Sequence, residues 1–198
     1  MIASWVHIGR LWTNGEPFLA MDADLRPAWR GFSDDQFEQV VELGYEDTGI
    51  PVGDGRAVLV GADGVVRDDS WIEVFNDDHD RIALVQASGP DYRRALAGAL
   101  TFSHADDQEG EVLAVGSGTL AIFSAAIDGT GEYSGLFVTA RPGPPPVVHG
   151  PPSADVDPGL LLQTGSRAFR LNVRWYTVLD NDSCFARWLL TPLRPDDV

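Results

Sequence analysis

The 198-residue sequence lacks several features on which common classes of protein depend. Its single cysteine, Cys184, cannot form an internal disulfide bond, and it has no lysine to complete the phosphate-binding loop of nucleotide hydrolases. Its apolar runs stop well short of the roughly 20 residues that a membrane helix needs. Its first residues show no basic flank followed by an apolar run, which a signal peptide would have. We therefore expect a cytoplasmic protein that does not enter a membrane.

Negative charge dominates the composition. The chain has 30 acidic and 14 basic side chains, a formal net charge of −16, and 44% hydrophobic residues, enough for a folded core. Residues 1–111 carry 22 of the acidic side chains and only 8 of the arginines. An anionic surface repels phosphate groups and attracts cationic proteins, so we expect a basic protein partner and no nucleic acid. The alternative, that the charge serves only solubility, stays open.

Two segments have the pattern of an amphipathic helix. Ser33 begins a capping-box sequence and apolar residues then recur at helical intervals, which predicts a helix over residues 34–43 that ends at Gly44. A second helix is predicted over residues 90–100, where a proline suits the first helical position and apolar residues recur on one face.

Most of the remaining pattern is typical of β-strands. Residues 5–8 and 17–21 predict an opening hairpin, and alternating apolar and polar residues predict a long hairpin over residues 169–191. The other predicted strands, of which the first four form an antiparallel meander, are 49–52, 57–60, 71–75, 82–87, 112–115, 120–125 and 136–139. The predicted fold class is therefore α+β, a mainly antiparallel β-sheet of meander and hairpins with two short helices.

The change in charge divides the chain into an acidic α+β half, residues 1–111, and a β-rich half, residues 112–198. The second half contains a proline-rich stretch at 141–157, which cannot supply ladder hydrogen bonds and predicts an extended loop. We expect both halves to form one compact unit. The turn and strand that begin at Val52 resemble those that begin at Val115, which is compatible with a duplicated β unit.

No motif in the sequence points to catalysis. The Gly-Ser-Gly sequence at residues 116–118 lacks the strand-to-helix context of a nucleophile elbow and is typical of a tight turn. Residues 77–80 join three carboxylates to His79, but neighbouring residues rarely converge on one metal ion, so a solvated loop tip is the simpler interpretation. Cys184 begins an apolar strand and has the pattern of a small buried side chain. We expect no enzymatic activity, no cofactor and no bound metal.

Several short stretches occur in the order known from one bacterial family. They are Trp5-Val6, Gly15-Glu16-Pro17 with Leu19, Trp29-Arg30-Gly31, Ile50-Pro51-Val52-Gly53-Asp54-Gly55 with Ala57, Leu59 and Gly61, and the six residues 118–123. In this order they resemble the immunity protein 21 family of polymorphic-toxin immunity proteins. The chain departs from the family pattern in the wider spacing of the first two stretches and in Glu16, where a second glycine is usual.

The resemblance implies a protein that binds a cognate toxin and neutralises it by occlusion, without catalysis. An acidic protein suits a basic toxin, because carboxylates can lie where an anionic substrate would otherwise bind. We expect the partner to contact the solvent-facing carboxylates of the first helix, those of the loop 77–80, and a tryptophan that we place, partly exposed, in a polar loop. These residues are Asp34, Asp35, Glu38, Glu42, Asp77, Asp78, Asp80 and Trp12.

Two other functions stay open at this point. A β-rich accessory domain that recognises a small molecule or a divalent metal ion would use the loop 77–80, whose carboxylates are the oxygen ligands that hard cations prefer. The other is a hydrolase with an unrecognised site, which no motif supports.

Overall fold

The computed structural model describes residues 4–44, 46–61, 66, 69–144 and 159–194. Twelve strands lie in these residues: β1 Val6–Asn14, β2 Phe18–Asp22, β3 Gly49–Val52, β4 Gly55–Val60, β5 Asp69–Asn76, β6 Ile82–Ser88, β7 Gln108–Ala114, β8 Thr119–Ser124, β9 Phe137–Thr139, β10 Gly159–Gln163, β11 Ala168–Val178 and β12 Cys184–Pro192. Sheet A has the order β1-β5-β6-β12-β11-β7, and sheet B has the order β3-β4-β2-β8-β10-β9. All pairs are antiparallel except β9 with β10. The predicted class, α+β with mainly antiparallel strands and few short helices, is confirmed.

An apolar layer fills the space between the two sheets. Leu11 and Trp188 of sheet A are buried in it together with Ile122 of sheet B. The layer follows from the period of two along each strand, since Phe169 and Leu171 in β11 are buried there while the arginine between them is not. Each side chain of this size stabilises the fold by roughly 2 kcal/mol when it is fully buried.

Each sheet contains strands from both halves of the chain, and the boundary in charge near residue 111 falls inside β7. The predicted hairpin of residues 169–191 is confirmed, because β11 and β12 pair. The predicted opening hairpin is wrong, because β1 pairs with β5 in sheet A while β2 lies in sheet B. Local periodicity decides which residues form a strand, whereas packing between distant parts of the chain decides which sheet contains it.

The predicted meander is wrong for the same reason. Its four strands form two separate hairpins, β3 with β4 in sheet B and β5 with β6 in sheet A. The similarity between the stretches at Val52 and Val115 does not extend to topology either. The first stretch turns within sheet B, whereas the second passes from β7 in sheet A to β8 in sheet B.

Helices cover the outer faces of the two sheets. α1 Gln36–Val41 packs on sheet B together with two 3-10 helices, Ala23–Ala28 and Gly31–Asp34. α2 Tyr92–Thr101 packs on sheet A. No helix in the described part of the chain has the length and apolar character that crossing a bilayer requires.

α2 agrees with the predicted helix to within two residues. Asp91 is its N-cap, and the carboxylate accepts a hydrogen bond from the backbone N–H of Arg94. At the other end, the carbonyl groups of Ala99 and Phe102 accept hydrogen bonds from Arg187 of β12. A cation at this end of the helix also complements the helix dipole, so α2 is tied to the sheet beneath it.

α1 is shorter than predicted, six residues instead of ten. The expected capping box does not form, because Ser33 lies inside a 3-10 helix and Asp35, at the N-cap position, has a left-handed φ of 55°. The side-chain oxygen of Gln36 instead accepts a hydrogen bond from the backbone N–H of Arg30. A helix this short is stabilised by tertiary packing, here the burial of Val40, more than by its own backbone.

The sequence pattern misses β10, whose three consecutive leucines follow the proline-rich stretch directly. A run of apolar residues without alternation is typical of a strand that is covered on both faces, but the prolines before it favour a loop. Most of that stretch, residues 145–157, lies outside the described residues. β7 also begins earlier than predicted, at Gln108, within the charged segment that the sequence predicts as a break.

Candidate partner-binding site

The predicted acidic surface of the first helix is present and exposed. Two of its members precede α1, because the chain enters that helix from a 3-10 helix through the left-handed Asp35. On the opposite side of α1, Val40 packs into the core of sheet B and holds the segment in place. The four exposed carboxylates, which we call the acidic face, are Asp34, Asp35, Glu38 and Glu42.

A pocket of about 520 Å³ adjoins the acidic face. Its lining residues are Phe32, Ser33, Ala126, Ile127, Asp128 and Tyr133. Phe32 and Tyr133 are 63% and 66% exposed, and the Phe32 ring packs on Phe37 with their centroids 4.5 Å apart. Large exposed rings beside charged groups are typical of protein–protein interfaces, where aromatic residues act as anchors.

Asp128 gives this pocket, the Asp128 pocket, its distinctive chemistry. The residue is 1% exposed, and neither carboxylate oxygen accepts a hydrogen bond from the described residues. The guanidinium group of Arg30 lies 3.3 Å from Oδ2, but nearly half of that side chain is exposed to solvent. Buried carboxylates in folded proteins almost always accept hydrogen bonds, so Asp128, whose two oxygens are closed to solvent beside Arg30, is an unusual group in this protein.

Close backbone packing determines the shape of the pocket. Gly31 has a φ of 43°, and a Cβ atom at this position would lie 2.5 Å from the carbonyl oxygen of Ala126. A Cβ atom at Gly129 would clash with the carbonyl group of Arg26. The backbone N–H of Phe32 donates a hydrogen bond to that same Ala126 oxygen at 3.1 Å. Glycine is therefore required at residues 31 and 129, because the backbone approaches Ala126 at the first position and Arg26 at the second.

Two large side chains anchor the backbone on either side of Asp128. Trp29 is buried and donates a hydrogen bond from Nε1 to the carbonyl oxygen of Ala125 at 3.0 Å. Arg26 donates from Nε to the carbonyl oxygen of Gly129, and its guanidinium group lies 3.6 Å from the ring centroid of Phe137. Partial burial lowers the pKa of Arg26 from its ordinary value. These contacts hold the segment that carries Asp128 in one position.

The loop 77–80 forms the predicted turn between β5 and β6, but Asp77 does not belong to a solvated tip. It is buried and accepts hydrogen bonds from Nε of Arg81 at 2.7 Å and from the backbone N–H groups of His79 and Arg81. The expectation of an exposed carboxylate is wrong here, because the turn folds back on the Asp77 side chain. Asp78, by contrast, is exposed.

Asp80 is also engaged within the protein. Its carboxylate accepts hydrogen bonds from the backbone N–H groups of Gly165 and Ser166, so it joins this loop to the turn between β10 and β11. Among the described residues, no group of three or more His, Cys, Asp or Glu side chains is placed to hold a metal ion. Through the hydrogen bonds of Asp77 and Asp80, the loop 77–80 therefore has a structural role.

Trp12 was predicted to be partly exposed in a polar loop. It is half-buried, as predicted, but it lies in β1 and not in a loop. It is paired with Trp71 of β5, and the two rings meet edge to face with centroids 5.0 Å apart. The guanidinium group of Arg10 stacks over the same Trp71 ring. These contacts place Trp12 on the outer side of sheet A, whereas the acidic face lies on the outer side of sheet B. The structure does not bring the two together.

A second buried carboxylate, Glu73, lies on the outer side of sheet A. It accepts hydrogen bonds from Arg10 and from the hydroxyl group of Tyr92 at 2.9 Å, and Nε2 of His7 lies 2.7 Å from its Oε2. Burial would by itself raise the pKa of Glu73, but the hydrogen bonds from His7 and Arg10, the Arg10 charge and the Tyr92 hydrogen bond lower it below its ordinary value. Burial and the Glu73 charge raise the pKa of Tyr92. We call these four residues the Glu73 cluster.

The Gly-Ser-Gly sequence at 116–118 forms the predicted turn, which leads from β7 into β8. The carboxylate of Asp22 accepts a hydrogen bond from the backbone N–H of Ser117 at 2.9 Å. Burial would raise the pKa of Asp22, but hydrogen bonds from Ser117, Asp24 and Gly116 outweigh it and lower the pKa. The serine is part of a stabilised turn.

Comparison of the chain with models of protein families, with curated proteins and with solved structures gives no match. The sequence pattern missed Phe32, Asp128 and Tyr133, because Asp128 with the glycine after it resembles an ordinary turn. The local signal that could have been used is Phe32, an aromatic residue that directly precedes an acidic run.

Proposed function

We propose that this chain is a non-catalytic inhibitor of the immunity-protein type, which neutralises a basic toxin protein by covering its functional cleft. The chain binds through the acidic face and the adjoining Asp128 pocket. The observation that carries this proposal is the arrangement itself: four exposed carboxylates lie beside two exposed aromatic rings and a buried carboxylate that accepts no hydrogen bond from the described residues.

The two parts of this surface have different roles in binding. Exposed carboxylates attract a basic protein over a distance and raise the rate of encounter, while each adds little to the final affinity. Exposed rings such as Phe32 and Tyr133 lose much water-accessible area when a partner covers them, and anchors of this kind supply most of the affinity of an interface. The surface therefore combines steering with an anchor.

The resemblance to the immunity protein 21 family also supports an inhibitor. One of the stretches that carry it, Trp29-Arg30-Gly31, contributes directly to the Asp128 pocket. Trp29 anchors the neighbouring backbone, Arg30 approaches the Asp128 carboxylate, and Gly31 permits the close contact of the two walls. The alternative of a domain that binds a metal ion through the loop 77–80 has less support, because Asp77 and Asp80 already accept hydrogen bonds within the chain.

The test begins with affinity capture of the tagged chain from a lysate of its own source, with washes at about 0.05 M and about 0.5 M salt, where screening differs strongly. The retained protein is identified by mass spectrometry and then produced in pure form. Its affinity is measured for the natural chain and for a variant in which all four carboxylates of the acidic face are changed to lysine. We expect at least a 10-fold loss of affinity at low salt, roughly the effect of reversing several interface charges.

A matched control separates this surface from the net charge of the chain. It carries four lysine substitutions at exposed carboxylates that lie outside every predicted contact: Asp54, Asp106, Glu109 and Asp182. Both variants change the formal charge by the same amount, so we expect the control to retain affinity within about 3-fold. Equal losses in the two variants would show that only the overall charge matters. Unchanged affinity of the retained protein for the variant with four lysines in the acidic face would contradict the proposed function.

A further inference from the structure

We propose that the Asp128 pocket receives the guanidinium group of an arginine side chain of the protein partner. This inference rests on the proposed function and names the contact at the centre of the interface. It is carried by three features of the pocket: the state of the Asp128 carboxylate, the two exposed rings and the position of Arg30.

The carboxylate of Asp128 has acceptor capacity that the described residues do not use, although its oxygens are closed to solvent while Arg30 lies beside Oδ2. It is 1% exposed, and both of its oxygens are without a hydrogen bond from the described residues. Desolvation makes such a state unfavourable, and folded proteins rarely keep a buried charge in it. Two neighbouring acceptor oxygens match the two parallel N–H groups that a guanidinium group presents. Once the Arg30 side chain is displaced, the carboxylate would thus be an acceptor pair for a planar cation.

The rings of Phe32 and Tyr133 favour arginine over lysine. Both line the pocket that contains Asp128, and about two-thirds of each residue is exposed. A guanidinium group stacks on aromatic faces and is less strongly hydrated than an ammonium group, so it enters a site made of rings and a carboxylate more readily. The apolar stem of the arginine side chain would cover ring surface that is now in water.

Arg30 occupies the place of this cation incompletely. One of its terminal nitrogens lies 3.3 Å from Oδ2 of Asp128, without the geometry of a hydrogen bond, and 44% of its side chain stays exposed. The protein thus contains a weak internal substitute for the ligand. An arginine from the partner would bind the carboxylate through both oxygens and displace the Arg30 side chain into solvent.

A side chain of a protein fits this pocket better than a free small cation does. Binding sites for small molecules enclose most of the ligand surface. Here the pocket lies between exposed rings and the acidic face, so a small ligand would leave most of that surface in water. A basic protein that inserts one arginine would cover the rings and meet the acidic face together.

The first experiment titrates the full chain with blocked amino acids at low salt. The arginine probe is N-acetyl-arginine methylamide, followed by the amide ¹H–¹⁵N chemical shifts of Phe32, Asp128 and Gly131. The lysine counterpart replaces the guanidinium group with an ammonium group, and the citrulline counterpart keeps the shape but has no charge. We expect saturable shifts with the arginine probe, at least about 5-fold weaker binding of the lysine probe, and no saturation with citrulline.

Substitutions in the pocket sharpen the result. Asp128→Asn keeps the shape and removes the charge, and we expect it to weaken the arginine probe about 10-fold or more. Tyr133→Ala should weaken it about 3-fold through the loss of stacking. Tyr176→Ala is the matched control, because Tyr176 is a comparably exposed ring at 52%, on sheet A, and we expect no change. Arg30→Gln removes the internal substitute and should raise the affinity several-fold, which a purely structural role of Arg30 would not do.

The outcomes decide between the alternatives. Equal binding of the arginine and citrulline probes, or unchanged affinity in both Asp128→Asn and Tyr133→Ala, would overturn the inference. Free agmatine that binds more than about 10-fold tighter than the blocked arginine would overturn it in favour of a small-molecule site. If Asp128→Asn does not fold, the affinities of Tyr133→Ala and Arg30→Gln for the arginine probe test the inference, and unchanged affinity in both would overturn it.

These results are separable from the test of the proposed function. Loss of the arginine contact would leave the acidic face as a binding surface for the captured partner, whose affinity is measured independently. A partner that binds the charge-reversed chain without loss would end the proposed function, whatever the probe titration shows.

Discussion

Glu73 and Asp128 are both buried carboxylates on the outer side of a sheet, and their surroundings are opposite. Glu73, between sheet A and α2, accepts hydrogen bonds from Arg10 and Tyr92 and contacts His7. Asp128, beside sheet B and the segment that leads to α1, accepts none from the described residues and has one half-exposed arginine near one oxygen. Both residues are at most 1% exposed.

The difference teaches that burial of a charge does not by itself reveal its role. A carboxylate whose acceptor sites are filled is compensated for its burial, and removal of its charge destabilises the native state because its donors lose that compensation. A carboxylate whose acceptor sites are empty lowers stability, and that cost is offset only when a ligand supplies donors. On this view Glu73 serves the fold and Asp128 serves recognition.

The largest effect is expected at Glu73. The change Glu73→Gln should lower the free energy of unfolding by about 3 kcal/mol, because it removes the buried negative charge that faces the partly buried Arg10 guanidinium group and the Tyr92 hydroxyl group. Denaturant unfolding measures this change. Glu109→Gln is the control, since Glu109 pairs with Arg170 at the surface and should change stability by no more than about 0.5 kcal/mol. Equal effects at the two positions would contradict the assigned role of the Glu73 cluster.

The next effect tests the wall of the Asp128 pocket. The change Gly31→Ala should destabilise the protein by about 2 kcal/mol, because the backbone is left-handed there and the new Cβ atom would meet the Ala126 carbonyl oxygen. Gly131→Ala is the control, since its φ of 98° is also positive but no atom lies within 4 Å of the added Cβ. If Gly31→Ala lowers the free energy of unfolding no more than Gly131→Ala does, the close contact with the Ala126 carbonyl oxygen does not affect stability.

The comparison also predicts a dependence on pH. The pKa of Glu73 is lower in the folded protein than the ordinary value of 4.5, so its contribution to stability is fully present above that pH. The contribution is lost as the pH falls through the lower pKa of the folded state. The difference in unfolding free energy between the natural chain and Glu73→Gln should therefore narrow below pH 4.5. If this difference in unfolding free energy stays constant down to pH 2, the lowered pKa of Glu73 is contradicted.

The smallest effects on stability are expected at the Asp128 pocket. The change Asp128→Asn should leave the free energy of unfolding within about 1 kcal/mol of the natural chain, or raise it slightly, because it removes a buried charge that accepts no hydrogen bond from the part of the chain that the structure describes. Phe32→Ser and Tyr133→Ser, at exposed rings, should each stay within about 0.5 kcal/mol. A loss of more than about 2 kcal/mol at Asp128 would place it with Glu73 as a structural carboxylate.

Local patterns in the sequence predict the strands better than their arrangement. β3 is predicted to the residue, and β11 follows from the strict alternation after Phe169. The assignment of β1 and β2 to different sheets depends on contacts with β5 and β8, which no local pattern contains. Period and turn chemistry act within a few residues, whereas sheet assignment is decided by packing across the whole chain.

The candidate site divides in the same way. The acidic face was predictable, since its carboxylates are close in sequence and surface charge follows from composition alone. The Asp128 pocket was not, because its walls meet where Gly31 approaches Ala126, two residues that are distant in the chain. Asp77 and Asp80, which were predicted to contact the partner from the loop 77–80, bind groups within the protein for a related reason, since Arg81 donates to Asp77 and the turn at Gly165 donates to Asp80.

The position of β12 between β6 and β11 has a consequence for the making of the protein. While the ribosome adds the second half of the chain, one edge of β6 stays unpaired, because its partner strand β12 has not yet been synthesised. Such edges pair readily with other chains, and pairing between distant strands forms slowly. The acidic side chains concentrated in residues 1–111 give nascent chains a strong like charge at this stage, which keeps them apart until β12 arrives.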